Sequence, residues 1–118
     1  MNLKLFSFTK TEKSPLIIEE RINKFLEDGN AFKFGSQSES TKSGKFYLSL
    51  YYEKRKNNIR AKVFKNSNAV NLQEKVNEFL EEGHTMKWSC QSSSTSSVYL
   101  VIFYELGKAN ENKKENQD

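Results

Sequence analysis

A chain of 118 residues with 36% hydrophobic and 29% charged residues can build only a small core, and nine Phe, five Tyr and one Trp must supply most of its bulk. The net charge of +4 leans towards anionic partners, and a single cysteine, Cys90, excludes an internal disulfide. No apolar run approaches the roughly 20 residues of a membrane span and no leader pattern is present, so a soluble protein of a reducing, cytoplasmic compartment is expected.

Alternation over residues 2–8 predicts a strand, with Leu3 and Leu5 on one face and Lys4, Phe6 and Phe8 on the other. Ser14 then caps a helix whose first position is Pro15, where the missing N–H costs nothing. Ile18, Ile22, Phe25 and Leu26 form one apolar stripe, and Gly29 suits the left-handed residue after the helix, predicted over 15–28. Residues 31–37 form a second strand, Phe32 and Phe34 facing one side and Lys33 and Gln37 the other. A polar hairpin loop over 38–44 leads to a third strand, 46–53. There Phe46, Leu48, Leu50 and Tyr52 oppose Tyr47, Ser49 and Tyr51. Residues 54–58 are a charged linker.

The chain then repeats itself. Glu20 to Gly29 returns as Glu74 to Gly83, and Lys33 to Thr41 as Lys87 to Thr95, at a constant offset of 54. Tyr47 to Glu53 returns as Tyr99 to Glu105 at an offset of 52. Strands over 59–65, 85–91 and 98–105 and a helix over 69–82, capped by Asn68, are predicted. Leu72, Val76, Phe79 and Leu80 copy the first stripe.

A period of this size indicates a duplicated β-α-β-β unit. The expected fold is α+β and two-layered: one mainly antiparallel six-stranded sheet, joined through the first strands, with two helices on one face. The units are 1–53 and 59–106 around the 54–58 linker, with 107–118 a polar disordered tail.

Catalysis finds little footing. The lone His84 aligns with Asn30 and reads as a turn residue at a helix end, and Cys90 aligns with Ser36 and reads as a core thiol. No Cys/His spacing suits zinc, and no phosphate-binding glycine motif occurs, so no enzyme, metal or cofactor is expected.

If the helices cover the Leu3/Leu5, Phe32/Phe34 and Leu48/Leu50 side, the other face interleaves aromatics with cations. It carries Lys4, Phe6, Lys33, Gln37, Tyr47 and Tyr51, then Arg60, Lys62, Phe64, Lys87, Gln91, Tyr99, Val101 and Phe103. Such a face suits a homo-oligomer interface or a stacking platform with cations for phosphates. The repeated Gln-Ser-x-Ser-Thr loops add amide and hydroxyl groups. The expected ligand-binding residues are therefore Lys33, Gln37, Ser38, Ser40, Thr41 and Tyr47, with Lys87, Gln91, Ser92, Ser94, Thr95 and Tyr99 as their counterparts.

Phe25-Leu26-Glu27-Asp28-Gly29 with Tyr51-Tyr52-Glu53, and Phe79-Leu80-Glu81-Glu82-Gly83 with Phe103-Tyr104-Glu105, carry a resemblance. Each half resembles a small sporulation-protein-like family of low-GC Gram-positive bacteria and their phages, which offers no catalytic residues. In its Lys/Asn/Glu-rich style the chain also resembles phage accessory proteins, including nucleotide sponges that counter bacterial immunity. The resulting expectation is a non-enzymatic phage-type protein that sequesters a small anionic ligand, an immune signalling nucleotide, in the host cytoplasm. The alternatives are a module that docks a host protein through its aromatic face, or single-stranded nucleic-acid binding. RNA-recognition-motif domains are a poor match, because Gly44 is followed by Lys45 rather than an aromatic.

Overall fold

A computed structural model describes residues 1–94 and 96–106. The predicted tail lies outside the described residues. The chain is an α+β protein with elements in the order β1 (Asn2–Phe8), α1 (Pro15–Glu27), β2 (Asn30–Glu39), β3 (Phe46–Lys54), β4 (Ile59–Asn66), α2 (Ala69–Glu81), β5 (Thr85–Ser93) and β6 (Val98–Glu105).

Local chemistry sets these boundaries. The Ser14 hydroxyl accepts from the Ile17 N–H at 3.2 Å, and the Asn68 side chain accepts from Val70 and Asn71 at 2.8 and 3.1 Å. Both helices end before a glycine at positive φ, Gly29 at 85° and Gly83 at 98°, where a side chain would be strained.

The strands form two antiparallel three-stranded sheets, β1-β3-β2 and β4-β6-β5. The third strand of each half lies in the middle. The single six-stranded sheet is not formed: β1 and β4 do not pair, and the second sheet instead flanks the first half, with β4 beside α1 and β5 beside β2. Nor do both helices cover one face. α1 packs on the inner face of the first sheet and also meets the second sheet. α2 covers only the outer face of the second sheet, through Phe64, Phe79 and Ile102.

The reason is apolar surface on both sides of β6. Leu100, Ile102 and Tyr104 turn towards α2, while Tyr99, Val101 and Phe103 join Ile59, Ala61 and Val63 in the main core. That core also holds Phe6, Phe8, Phe46, Leu48 and Leu50 of the first sheet and Ile18, Ile22 and Leu26 of α1. Register places Phe6 opposite Leu48, so Phe6 faces inward, and it is Leu3 and Leu5 that face out. The expected orientation of β1 is thus reversed, because its phenylalanines fill the space under α1: Phe6 meets Phe25 edge-on at 5.6 Å.

The halves share contacts as well as element order. Phe6, Phe25 and Tyr52 form an edge-to-face trio, with Phe25–Tyr52 at 4.8 Å, and Phe64, Phe79 and Tyr104 form its counterpart, with Phe79–Tyr104 at 5.0 Å. The helix quartets nevertheless differ in burial. Ile18, Ile22 and Leu26 have no exposed surface, whereas Leu72, Val76 and Leu80 are only half-buried.

The junction of the halves is specific. The Asn23 carboxamide donates to the Ala61 carbonyl at 3.0 Å and accepts from the Ala61 N–H at 2.6 Å, and Glu19 accepts from the Val63 N–H at 2.9 Å. These groups lie on the edge of β4 that no strand pairs with. Removing Asn23 orphans both Ala61 groups. We expect Asn23→Ala to cost about 1–3 kcal/mol, read by urea unfolding. Its counterpart Asn77→Ala, on an exposed helix surface, should change stability by less than about 0.5 kcal/mol in dilute solution. Equal effects would mean that the clasp does not hold the halves together.

Candidate functional site

Both β2 and β5 carry a bulge at the same place. The pairing of β2 with β3 slips between Phe32 and Phe34, and that of β5 with β6 between Met86 and Trp88. The extra residues are Lys33 and Lys87. An extra residue shifts the phase of every side chain beyond it. Lys33 and Gln37 therefore do not share a face as uninterrupted alternation predicts.

Beyond the bulge, Gln37 points towards the second sheet. Its Nε2 donates to the Ser92 hydroxyl at 2.9 Å and to the Tyr99 carbonyl at 3.0 Å. Gln91 is exposed on the α2 side, opposite Leu100. The two glutamines expected to serve matching sites thus occupy different surroundings.

Tyr99 is no stacking platform. Its ring is buried, its hydroxyl donates to the Lys13 carbonyl at 3.0 Å, and the Lys13 and Lys65 ammoniums sit 5.2 and 5.4 Å from its centroid. Lys13 also pairs with the buried Glu39 carboxylate. Tyr47 is half-buried and Ser38 exposed, both on the outer face of the first sheet. Ser92 is taken up by Gln37. The Ser40 hydroxyl accepts from the Ser43 N–H and that of Ser94 from the Ser97 N–H, so each serves its own turn. Ser40, Thr41 and Ser94 do converge, with Lys10, Lys13 and Lys42, on a cavity of about 270 Å³. Thr95 lies outside the described residues. Lys33 and Ser40 are separated by about 23 Å at about 3.3 Å per residue, and Lys87 and Ser94 likewise, so neither half gathers its six expected residues into one site.

Lys33 and Lys87, however, come together. They line a cleft of about 420 Å³ with Arg55, Lys56, Asn57 and Asn58, over Phe32 and Ile59. Glu105 lines it too and pairs with Lys87 at 3.4 Å. Glu53, its counterpart, pairs with Lys33 at 3.8 Å and Arg55 at 3.7 Å. The side chains in these pairs remain about a third or more exposed, and such pairs contribute at most about 1 kcal/mol. The cations can therefore turn to an incoming anion at small cost.

The linker that forms this cleft is held rigidly. The Arg55 N–H donates to the Gly29 carbonyl at 2.9 Å, and Asn57 Nδ2 to the Leu26 carbonyl at 3.0 Å. Asn57 Oδ1 accepts from the Ile59 N–H at 3.0 Å, and the Leu106 N–H donates to the Asn58 carbonyl at 2.7 Å. Reading residues 54–58 only as a spacer missed Arg55 and Lys56. The signal was present: three successive cations, then two asparagines, at the junction of the repeats.

The two residues with most chemical potential are engaged elsewhere. The His84 ring stacks on Phe79 at 4.1 Å and meets Tyr104 at 4.9 Å. Cys90 is buried, and burial pushes its thiol up to about 11, against a smaller opposing effect of the Trp88 indole N–H. Among the described residues, no cluster of three His, Cys, Asp or Glu could hold a metal ion, and no helix is long and apolar enough to cross a membrane.

These features define a small α+β protein whose two halves meet at a cation-lined cleft. No protein-family model matches the chain, and no curated protein or solved structure is similar to it.

The Cys90 thiol stays protonated until the pH is far above its ordinary value of 9.0. Its folded value lies above its unfolded one, so its contribution to stability is full below about pH 9 and is lost as pH rises through about 11. Since the thiolate is the reactive form, iodoacetamide at neutral pH should label Cys90 rapidly only after unfolding, read by mass spectrometry. Equally fast labelling of native protein would contradict its burial.

Proposed function

We propose that the protein is a non-enzymatic binder that captures a small anionic ligand, a signalling nucleotide, in the cleft lined by Lys33, Arg55, Lys56 and Lys87. What supports this reading is the convergence of four cations from three segments on one cleft. Its volume of about 420 Å³ falls among those of small-ligand sites, about 300–1,000 Å³. Arginine and lysine are the side chains best suited to phosphate oxygens. The ring edge of Phe32 and the Ile59 side chain would offer an apolar wall to a base, and the Asn58 amide a polar edge. The hairpin serines leave this proposed site and take structural roles.

Sequestration rather than turnover fits the surroundings of the nucleophilic residues, since Cys90 is buried and protonated and His84 is packed between aromatics. A host-cytoplasmic, phage-type sponge is the biological setting consistent with the sequence resemblance. Self-association belongs to the same reading, through the outward aromatic face of the first sheet.

Calorimetry against cyclic dinucleotides and ADP-ribose-type compounds tests the ligand site. Loss of one Lys–phosphate contact costs about 1.5–3 kcal/mol, or roughly ten- to a hundredfold in affinity. Lys87→Ala and Arg55→Ala should each weaken binding by that amount, while Gln91→Ala should bind as the wild type does. Binding that is absent across the panel, or equal in all variants, would refute the cleft as the site. A steep fall in affinity for single-stranded RNA with rising salt would instead favour nucleic-acid binding.

A further inference from the structure

The two halves stack in one direction. The second sheet presents Ala61, Val63, Tyr99, Val101 and Phe103 to the inner side of the first half, and all five are buried there. Strand register gives their counterparts in the first sheet. Ala61 opposite Phe103 corresponds to Leu3 opposite Tyr51, and Val63 opposite Val101 to Leu5 opposite Ser49. Yet Leu3 and Leu5 are 51% and 55% exposed, and Tyr47, Ser49 and Tyr51 beside them are only half-buried. The same face is covered in one half and bare in the other.

The surface that does the covering is also present twice. α1 supplies Asn23 and Glu19 to the open edge of β4. Their counterparts on α2 are Asn77 and Gln73, both exposed. β1, like β4, is an edge strand with one side unpaired. Gln37 reaches across to Ser92 and the Tyr99 carbonyl. Its counterpart Gln91 is exposed, and the matching acceptors, Ser38 and the Tyr47 carbonyl, lie on the bare outer face of the first sheet. The half-buried Leu72, Val76 and Leu80 complete the pattern. Their counterparts Ile18, Ile22 and Leu26 have no exposed surface and lie in the core that the second sheet shares.

We infer that the occupant of the bare sheet face is a second copy of this chain, docked head-to-tail so that the internal stacking continues from molecule to molecule. In this contact Asn77 clasps the Leu3 backbone of the next copy, as Asn23 clasps Ala61. Gln73 accepts from the Leu5 N–H, as Glu19 does from Val63. Gln91 donates to Ser38 and to the Tyr47 carbonyl, as Gln37 does to Ser92 and Tyr99. The repeated Gln-Ser pair is then a stitch between successive units, which accounts for its presence in both halves. The contact is heterologous, so it builds an open filament, or a ring if the rotation closes. It is weaker than the internal one, because neutral Gln73 replaces Glu19, which also pairs with Lys62 at 3.8 Å. The contact gives the self-association of the previous reading a direction and does not involve the anion cleft.

Sedimentation velocity over a concentration series tests this with three exposed-site changes. Leu5→Glu spoils the bare sheet face, and Asn77→Arg or, more mildly, Gln91→Ala spoils the covering surface. Circular dichroism and melting curves verify that each variant is folded. The wild-type mass should rise with concentration past the dimer. Leu5→Glu and Asn77→Arg should each remain monomeric, and Gln91→Ala should assemble only at higher concentration. An equimolar mixture of Leu5→Glu and Asn77→Arg should form a 1:1 dimer that grows no further, since each variant retains the surface the other lacks. A wild type that stays monomeric to high micromolar concentration would overturn the inference. So would Asn77→Arg dimerising alone, which signals a symmetric sheet-to-sheet pair, or a mixture that does not associate.

Discussion

The carboxamide of Asn23 meets both polar groups of Ala61, accepting at 2.6 Å and donating at 3.0 Å. Much of the architecture depends on that clasp. A three-stranded sheet has two faces and each half has one helix, so each half leaves one face uncovered. By satisfying the open edge of β4, α1 brings the free face of the second sheet onto the first half. There Phe32 stacks on Phe103 at 3.9 Å and Phe46 meets Tyr99 at 5.5 Å. Buried backbone groups need partners, and helix side chains supply them here where a strand otherwise would.

The same junction gathers the cations. Each bulge ejects a lysine near the start of its strand, and the 54–58 linker returns past the end of α1 to begin β4. Lys33 and Lys87 alone are two solvated ends paired with Glu53 and Glu105. Once the sheets pack, they share a cleft with Arg55 and Lys56. The cations gather because two equivalent bulges are carried to one place by the stacking of the halves, and this is the physical basis of the proposed anion site.

Stacking also separates residues that the repeat makes look alike. Gln37 is enclosed between the sheets, while Gln91 is exposed. Tyr99 lies in the core with cations against its ring, while Tyr47 lies on an outer face. Trp88 reaches across to donate to the Gly35 carbonyl at 2.9 Å, whereas its counterpart Phe34 stacks on Tyr51 within its own sheet at 4.7 Å. Any added side chain at Gly35 would stand 2.7 Å from the Ser49 carbonyl oxygen, so that position requires glycine even where its counterpart is Ser89.

By itself the sequence determined what is local. Ser14, Pro15, Asn68, Gly29 and Gly83 mark the helix ends, alternation marks the strands, and the repeat gives both halves one order of elements along the chain. Those features rest on periodicity, capping and turn chemistry within a few residues. The bulges at Lys33 and Lys87 escaped this reading because a one-residue slip is visible only against the partner strand. The burial of Tyr99, Val101 and Phe103, the different surroundings of the two related sites expected in the halves, and the assembly of the cleft belong to the tertiary structure. Apolar residues on both faces of β6 require a cover, but they do not say whether it is a ligand, another chain or the other half of the same chain. That choice lies with the geometry that lets α1 reach the open edge of β4.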